Sequence, residues 1–173
     1  MLVHNTKSLL FDPEYNIIER MLDIVMVNMP SYEILDCIAD SYIPILLTIC
    51  IIYLGELIIN RRWITLKYHT STLALYIFSA YAIMVIDIKM ALWHLVGLDY
   101  STHTAVSLSL VIWLSYKSTS LLIIWWTSLL AYFILMLYQQ YHSVADIIST
   151  SLPLGLLLWI CTSLWHNKSM RLE

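Results

Sequence analysis

The chain has 173 residues, of which 60% are hydrophobic and only 12% charged, and its mean hydropathy is +0.76. A soluble domain carries about a quarter charged residues, so this composition excludes an ordinary soluble protein and indicates a membrane protein. The net charge of −3 offers no basic surface of the kind that binds nucleic acid. The three cysteines, Cys37, Cys50 and Cys161, form no CxxC pair, which argues against a disulfide framework.

Residues 1–40 form an N-terminal arm for which the sequence predicts an amphipathic helix. Asp12, Pro13 and Glu14 have the character of a helix start, with an N-cap acid followed by proline at the first helical position. Apolar residues then recur at helical spacing with charged residues opposite them. The apolar stripe consists of Ile17, Ile18, Met21, Leu22, Val25 and Met26. Two interpretations stay open: a helix lying on the membrane surface, or a helix packed on the rest of the protein.

The remainder of the chain, residues 41–173, consists mainly of long apolar runs. A helix needs about 20 apolar residues to cross the hydrocarbon core of a bilayer. Candidate spans cover residues 41–60, 70–90, 103–116, 119–138 and 145–165, and the third of these is short but uncharged. The sequence therefore predicts a single all-α domain over residues 1–173: a polytopic membrane helix bundle of about five transmembrane helices plus the N-terminal amphipathic helix.

Whereas Lys89 is the only basic residue near the loops of one side, six of the nine basic residues fall on the other side of this five-span arrangement. They follow the first, third and last spans and comprise Arg61, Arg62, Lys67, Lys117, Lys168 and Arg171. The positive-inside rule makes that side cytoplasmic. The loops covering residues 91–102 and 139–144 then lie on the non-cytoplasmic side, together with the N-terminal arm.

Two histidines on the non-cytoplasmic side stand where a loop enters a span. His103 follows Ser101 at the start of the third span, and His142 precedes Asp146 by four residues at the start of the fifth. Residues four apart share a helix face, so an acid there can orient an imidazole and support its charge. One histidine can then act as nucleophile or base, and the other can protonate a leaving oxygen. The alternative is two interfacial histidines hydrogen-bonded to their neighbours.

The pattern of these residues resembles the type-2 phosphatidic acid phosphatase superfamily. Its second motif, Pro-Ser-Gly-His, is similar to Ser101-Thr102-His103, and the end of its third motif, Ser-Arg-x5-His-x3-Asp, is similar to His142 and Asp146. Two branches of this superfamily look closer. Sphingomyelin synthases carry Gly-Asp-x-x-Ser-Gly-His-Thr. The fat-storage-inducing membrane proteins carry Gly-Phe-Asp-x-Ser-Gly-His, which is similar in spacing to the segment from Gly97 to His103. The resemblance covers about the last 85 residues, from Lys89 to the end of the chain.

The resemblance implies a lipid-phosphate phosphatase or phosphotransferase that works without metal or other cofactor. His142 would attack phosphorus and form a phosphohistidine, Asp146 would orient it, and His103 would protonate the departing oxygen. The substrate would be a phosphorylated lipid that enters the site from the surrounding membrane. The positions of the two motif arginines that normally hold the phosphate fall on Met136 and Val96.

Substrate-binding candidates follow from the need to replace those arginines. A phosphoryl group needs donors for its oxygens, and the candidates are Lys89, His94, Ser101, Thr102 and Asp99, with backbone N–H groups at the start of the third span. Structural alternatives stay open for four of these residues, and Ser101 can simply be the N-cap of the third span. Lys89 can be a snorkelling lysine, His94 an interfacial histidine, and Asp99 a residue that caps the helix or orients the loop.

Two other functional classes stay open. A metal-dependent membrane hydrolase would hold zinc with His103, His142, His94 and Asp146. A non-catalytic membrane or assembly protein would keep the fold without the reaction. Response to a chelator separates the first of these from a metal-independent phosphatase.

Overall fold

The computed structural model describes residues 31–169. Within this range the chain forms five α-helices: α1 (Tyr32–Ile59), α2 (Trp63–Met90), α3 (Thr102–Lys117), α4 (Leu122–Tyr138) and α5 (Val144–Ser169). Two single-turn 3-10 helices, His94–Val96 and Thr119–Leu121, lie in the connections before α3 and α4. The prediction of an all-α protein is confirmed for this described part of the chain, and residues from Asp36 onward form one compact unit.

Each of the five predicted spans corresponds to one α-helix, but the first begins earlier than predicted. Helix α1 starts at Tyr32 and not at residue 41, so residues 32–40 belong to this helix and not to a separate arm. Glu33 stands in its first turn, where a carboxylate interacts favourably with the helix dipole. The amphipathic helix predicted around residues 13–26 lies outside the described residues.

Among the described residues, three helices are long and apolar enough to cross a membrane. They are α1 and α2, with 28 residues each, and the part of α5 that covers Val144–Ser163. Helix α4 is apolar but has only 17 residues, and α3 has 16. Large apolar side chains such as Ile52, Phe78 and Leu152 are more than 60% exposed on the outer surfaces of these long helices. Such an extended apolar exterior suits contact with lipid chains.

Helix α3 lies at the centre of the bundle and packs against α2, α4 and α5. Eleven of its 16 residues are buried. Ala105, Ser107 and Ser109 are fully buried, and small residues of this kind let neighbouring helices approach closely. The two serine hydroxyls are hydrogen-bonded: Ser107 Oγ donates to a backbone carbonyl of its own helix, and Ser109 Oγ donates to the Tyr76 carbonyl of α2 at 3.4 Å. These two buried serines therefore have partners within the bundle, whereas the buried Thr104 Oγ1 of the same helix has no hydrogen-bond partner among the described residues.

Helix α1 attaches to this core through tyrosines. Tyr42 stacks on Tyr132 of α4 with ring centroids 4.3 Å apart, and its hydroxyl bonds to Ser128 Oγ at 3.0 Å. Further along α1, Tyr53 meets the ring of Trp113 edge-on at 5.6 Å. Because these contacts join α1 to both α3 and α4, they hold the beginning of α1 beside the end of α4.

The connection between α2 and α3 is tied to α5. Trp93 Nε1 donates to Ser149 Oγ at 3.0 Å, and the hydroxyl of Tyr100 donates to the Ala80 carbonyl at 2.7 Å. Gly97 has a φ of +72°, a left-handed conformation that glycine adopts without strain. The connection thereby folds back over the bundle and delivers the chain to the start of α3.

Candidate active site

One cavity brings together the two histidines that the sequence singled out. It has a volume of about 360 Å³ and opens at the end of the bundle where α3 and α5 begin and α4 ends. Its wall is formed by Asp36, Ala39, Asp40, His103, Tyr132, Met136, Tyr141 and His142. His103 comes from α3 and His142 from the connection between α4 and α5, so the fold joins side chains from distant parts of the chain. We refer to this space as the histidine cavity.

His103 is positioned by the cap of α3. Ser101 is the N-cap residue: its Oγ accepts a hydrogen bond from the Thr104 N–H at 3.2 Å, a role for which serine is strongly favoured. The Ser101 N–H donates to Thr150 Oγ1 of α5 at 3.1 Å, and both residues are fully buried. Ser101 therefore fixes the start of α3 to α5 and does not line the histidine cavity, and neither does the half-buried Thr102.

His142 is positioned by the cap of α5. The Ser143 N–H donates to Asp146 Oδ2 at 2.8 Å, and the Asp146 N–H donates back to Ser143 Oγ at 3.2 Å. This reciprocal pair is a capping box with aspartate in place of the usual glutamate. Ser143 Oγ also donates to Asp146 Oδ2 at 2.8 Å. Because Ser143 follows His142 directly, the box fixes the backbone that carries the imidazole.

Asp146 has a second partner in the connection before α3. Its Oδ1 accepts a hydrogen bond from the Asp99 N–H at 2.8 Å, and the residue is only 8% exposed. No hydrogen bond joins the Asp146 carboxylate to the His142 ring within the described part of the chain. Asp146 thus acts on His142 through its charge and through the backbone of Ser143. Asp99 meets Asp146 through its backbone, and its own side chain is exposed.

Electrostatics favour a neutral imidazole at His142. Burial lowers the pKa of His142 below its ordinary value of 6.5, and the neighbouring His103 ring lowers it too. The carboxylates of Asp146 and Asp99 act in the opposite direction and raise it, but burial is the larger effect. A neutral imidazole has the free electron pair that a nucleophile or general base requires.

Lys89 and His94 do not reach the histidine cavity. Lys89 is exposed in the last turn of α2, and His94 is exposed in the 3-10 helix that follows. Ala91 ends α2 in a left-handed conformation with φ of 50°, which redirects the chain. Neither side chain is among those that line the histidine cavity.

The structure adds cavity residues that sequence reasoning missed. Asp36 and Asp40 lie one helical turn apart on α1, and the Tyr141 hydroxyl donates to Asp36. Tyr132 completes the wall from α4. The sequence signal for the two acids was their four-residue spacing just before an apolar run, which places them on one helix face. Their partners on α3 and α4 were not visible without the fold.

The arrangement does not assemble the zinc site considered from sequence. Among the side chains that the structure describes, no group of three or more His, Cys, Asp or Glu is placed to hold a metal ion. His94 lies away from the histidine cavity, and both Asp146 carboxylate oxygens already accept hydrogen bonds from Asp99 and Ser143. The zinc hypothesis therefore has no support from the placement of its four residues.

Comparison of the chain with protein-family models, with curated proteins and with solved structures finds no match. Function is therefore inferred from the side chains and their placement.

Proposed function

We propose that this protein is an integral membrane phosphatase or phosphotransferase that acts on a phosphate ester of a lipid through a phosphohistidine intermediate. The observation that carries the proposal is that His103 and His142, which match the resembled motifs, line one cavity. Two imidazoles in one polar cavity are the minimum needed for nucleophilic attack on phosphorus and protonation of a leaving oxygen.

The proposed reaction has two steps. A nitrogen of neutral His142 attacks phosphorus, the bond from phosphorus to the lipid oxygen breaks, and His103 as imidazolium gives its proton to that oxygen. Neutral His103 then takes a proton from water or from the hydroxyl of a second lipid, whose oxygen attacks the phosphohistidine. The bond to His142 breaks and the starting protonation states return. Water gives hydrolysis and a lipid hydroxyl gives transfer.

The charges of the cavity wall favour a particular type of lipid head group. None of the described residues that line it is a lysine or arginine, whereas Asp36 and Asp40 contribute carboxylates. Carboxylates disfavour a bare phosphate and attract a cation, and tyrosine rings such as those of Tyr132 and Tyr141 favour ammonium groups. We infer that the preferred substrate is a phosphate ester whose alcohol carries an ammonium group, so that Asp40 and Asp36 compensate the positive charge beside the phosphate.

The proposed membrane arrangement uses all five helices as spans and the N-terminal amphipathic helix as an accessory. The histidine cavity would open on the non-cytoplasmic side. This proposal is supported by the separation of charges along α3: His103 is in its first turn and Lys117 in its last. Arg61 and Arg62 lie in the connection between α1 and α2. Lys117 is at the same end of the bundle, because it contacts His69 near the start of α2. Basic residues at that end favour a cytoplasmic location.

The test is a panel of lipid phosphate esters presented to the purified full-length chain in a lipid nanodisc. Release of phosphate and appearance of transfer products are both measured, with head groups that carry or lack an amine. Activity should be lost in His142→Ala and retained in His94→Ala, because only the first of these removes a side chain of the histidine cavity. Equal activity in both variants would overturn the assignment.

A further inference from the structure

A second polar cavity lies at the opposite end of α3, roughly 21 Å along the helix axis from His103 at 1.5 Å per residue. It has a volume of about 590 Å³, and aromatic side chains with one lysine dominate its wall. Tyr68 and His69 come from α2, and Trp113, Tyr116 and Lys117 come from α3. We call it the lysine cavity. The reaction proposed above does not use it.

Lys117 is turned into this cavity. Its ammonium group bonds to the His69 ring, approaching Nδ1 most closely and lying 3.2 Å from Nε2. The same group lies 5.3 Å from the centre of the Trp113 ring and 5.6 Å from that of Tyr68. An interfacial lysine that only snorkelled would extend its charge into water, so this inward orientation needs a different explanation.

No carboxylate pairs with Lys117 in the described part of the chain. Its contacts are the His69 imidazole and two aromatic rings. An imidazole that accepts a hydrogen bond is neutral, and so are the aromatic rings, so none of these groups balances the lysine charge. A half-buried cation without a counter-charge is unfavourable, and an anion in the cavity would compensate it. Tyr68 and Tyr116 line the same cavity, and their hydroxyls, which make no hydrogen bond to another described side chain, are two further donors for the anion.

An apolar groove adjoins the lysine cavity. It has a volume of about 620 Å³ and runs between α3, α4 and α5, with walls that include Ile112, Trp126, Leu152 and Trp159. Tyr116 lines both spaces, so the groove and the lysine cavity meet at this side chain. A polar site with a cation that shares a wall residue with an apolar groove offers one surface to each end of a charged lipid.

We propose that the lysine cavity and the adjoining groove bind an amphiphile with an anionic phosphate head group and an acyl chain. Lys117, Tyr68 and Tyr116 bind the phosphate oxygens, and the groove beside Ile112 and Trp159 holds the chain. The site takes its ligand from the leaflet opposite to the histidine cavity. It is independent of the reaction proposed for His103 and His142.

The experiment measures apparent Kd from the shift in thermal midpoint when ligand is added to the full-length chain in a nonionic detergent, because a ligand that binds only the folded state raises that midpoint. Three probes separate the two parts of the ligand. Lysophosphatidylglycerol has the anion and the chain, lysophosphatidylcholine has the chain with a zwitterionic head, and glycerol phosphate has the anion alone. We expect lysophosphatidylglycerol to bind at least about tenfold more tightly than either other probe, because lysophosphatidylcholine brings an ammonium group close to the cation of Lys117 and glycerol phosphate lacks the apolar contacts of the acyl chain.

Variants locate the head group. Lys117→Gln should weaken binding of lysophosphatidylglycerol by about tenfold or more, and Lys117→Arg should retain it because the charge remains. Lys67→Gln is the matched control, since Lys67 is an exposed lysine of α2 near the same end of the bundle, and it should change the Kd by less than about twofold. Equal weakening by Lys117→Gln and Lys67→Gln would overturn the proposal, as would unchanged binding in Lys117→Gln.

A glycine variant tests where the acyl chain of the ligand binds. Gly155 lines the groove, and a Cβ added there meets nothing within 4 Å. Gly155→Leu should fill the groove and weaken lysophosphatidylglycerol about tenfold while leaving glycerol phosphate unchanged, since several methylenes lose their contacts. Gly55→Leu on α1, where the added Cβ is equally free, is the control and should change neither. If glycerol phosphate binds as tightly as lysophosphatidylglycerol, the site is a simple anion site and the amphiphile proposal is wrong.

Discussion

The carboxylate of Asp146 accepts a hydrogen bond from the backbone N–H of Asp99 at 2.8 Å and thereby joins the start of α5 to the connection that leads into α3. The same carboxylate holds Ser143, the residue next to His142, through its other oxygen. One buried acid therefore determines how the backbone segments carrying His103 and His142 are placed relative to each other. The next prediction follows from this double role.

Asp146→Asn should change both the rate and its pH dependence. In the proposed reaction attack requires neutral His142, whose pKa is lowered mainly by burial while Asp146 raises it, so the acid limb of the native pH–rate profile should lie below pH 6.5. Removing the Asp146 charge lowers that pKa further, and the acid limb of the pH–rate profile should move to lower pH. Turnover should fall by about 10²-fold because the histidines are less well positioned. That is less than the roughly 10⁴-fold loss for an acid bonded directly to a catalytic imidazole.

Ser143→Ala is the control for this prediction. It removes the capping hydroxyl and should lower stability by about 1 kcal/mol, but it leaves the Asp146 charge beside His142. Its acid limb should stay where the native limb is. A limb that moves to higher pH in Asp146→Asn would contradict the electrostatic assignment.

A phosphoryl group should be trapped on His142 during turnover. Rapid quenching with a substrate labelled in its phosphate should yield a phosphoprotein that is stable to base and labile to acid, since a phosphohistidine lies between the two steps. His142→Ala should form none, and His103→Ala should form it more slowly because the leaving oxygen is not protonated. An active native protein without any labelled intermediate would count against covalent catalysis.

Asp40→Asn should reduce the preference for substrates that carry an ammonium group. Asp40 contributes one of two carboxylates to the histidine cavity, and loss of a partly exposed charge pair weakens binding by about 0.2–1 kcal/mol. The measurement is the ratio of kcat/KM values for matched substrates with and without the amine. Glu56→Gln is the control, because Glu56 is an exposed acid of the same helix outside the cavity. An unchanged ratio in Asp40→Asn would exclude recognition of the amine by this residue.

Thr150→Val should destabilise the protein and misplace His103. Valine has a similar shape but no hydroxyl, so the buried Ser101 N–H loses the acceptor that Thr150 provides at 3.1 Å. An unsatisfied buried donor costs about 1–3 kcal/mol, which denaturation in mixed micelles can measure. Thr127→Val is the matched control, because exposed Thr127 bonds only to carbonyls of its own helix. It should change the free energy of unfolding by less than about 0.5 kcal/mol.

Labelling of single cysteines should show which side of the membrane each end of the bundle faces. Gln140→Cys and Lys67→Cys are made separately in a chain that lacks Cys37, Cys50 and Cys161. A thiol reagent that cannot cross membranes should label position 140 in intact cells and spare position 67, since basic residues favour the cytoplasmic side. The reverse pattern would place the histidine cavity in the cytoplasm and leave its chemistry untouched.

The number and order of the helices were accessible from sequence because apolar runs separated by short polar segments determine both. The sequence also predicts that His103 and His142 lie at the same end of the bundle, since one helical hairpin separates them. The beginning of α1 was not, because Asp36 and Asp40 are polar in sequence yet face the histidine cavity in the fold. A hydropathy pattern cannot distinguish a charged residue in a loop from one that faces a polar cavity.

The residues that line the histidine cavity were the hardest to predict from the sequence. Lys89 and His94 are near His103 in sequence, but the left-handed turn at Ala91 and the 3-10 helix after it direct them elsewhere. Tyr132 and Tyr141 carry no motif, and they enter the histidine cavity only through the packing of α4 against α3 and of Tyr42 on Tyr132. Such contacts depend on tertiary structure and leave no local pattern.

The central position of α3 has a consequence for biogenesis. Its 16 residues include the hydroxyl side chains of Thr104, Ser107, Ser109 and Ser115, all of them buried among other helices in the folded protein. Insertion into a bilayer as an isolated segment would expose these groups to lipid before α5 is synthesised, and the translocation machinery selects segments by their apolarity. In the proposed five-span arrangement, α3 should therefore enter the membrane together with α2 and stay in contact with it until α4 and α5 are synthesised. Nascent chains that end before α5 should leave α3 open to degradation by membrane-bound proteases.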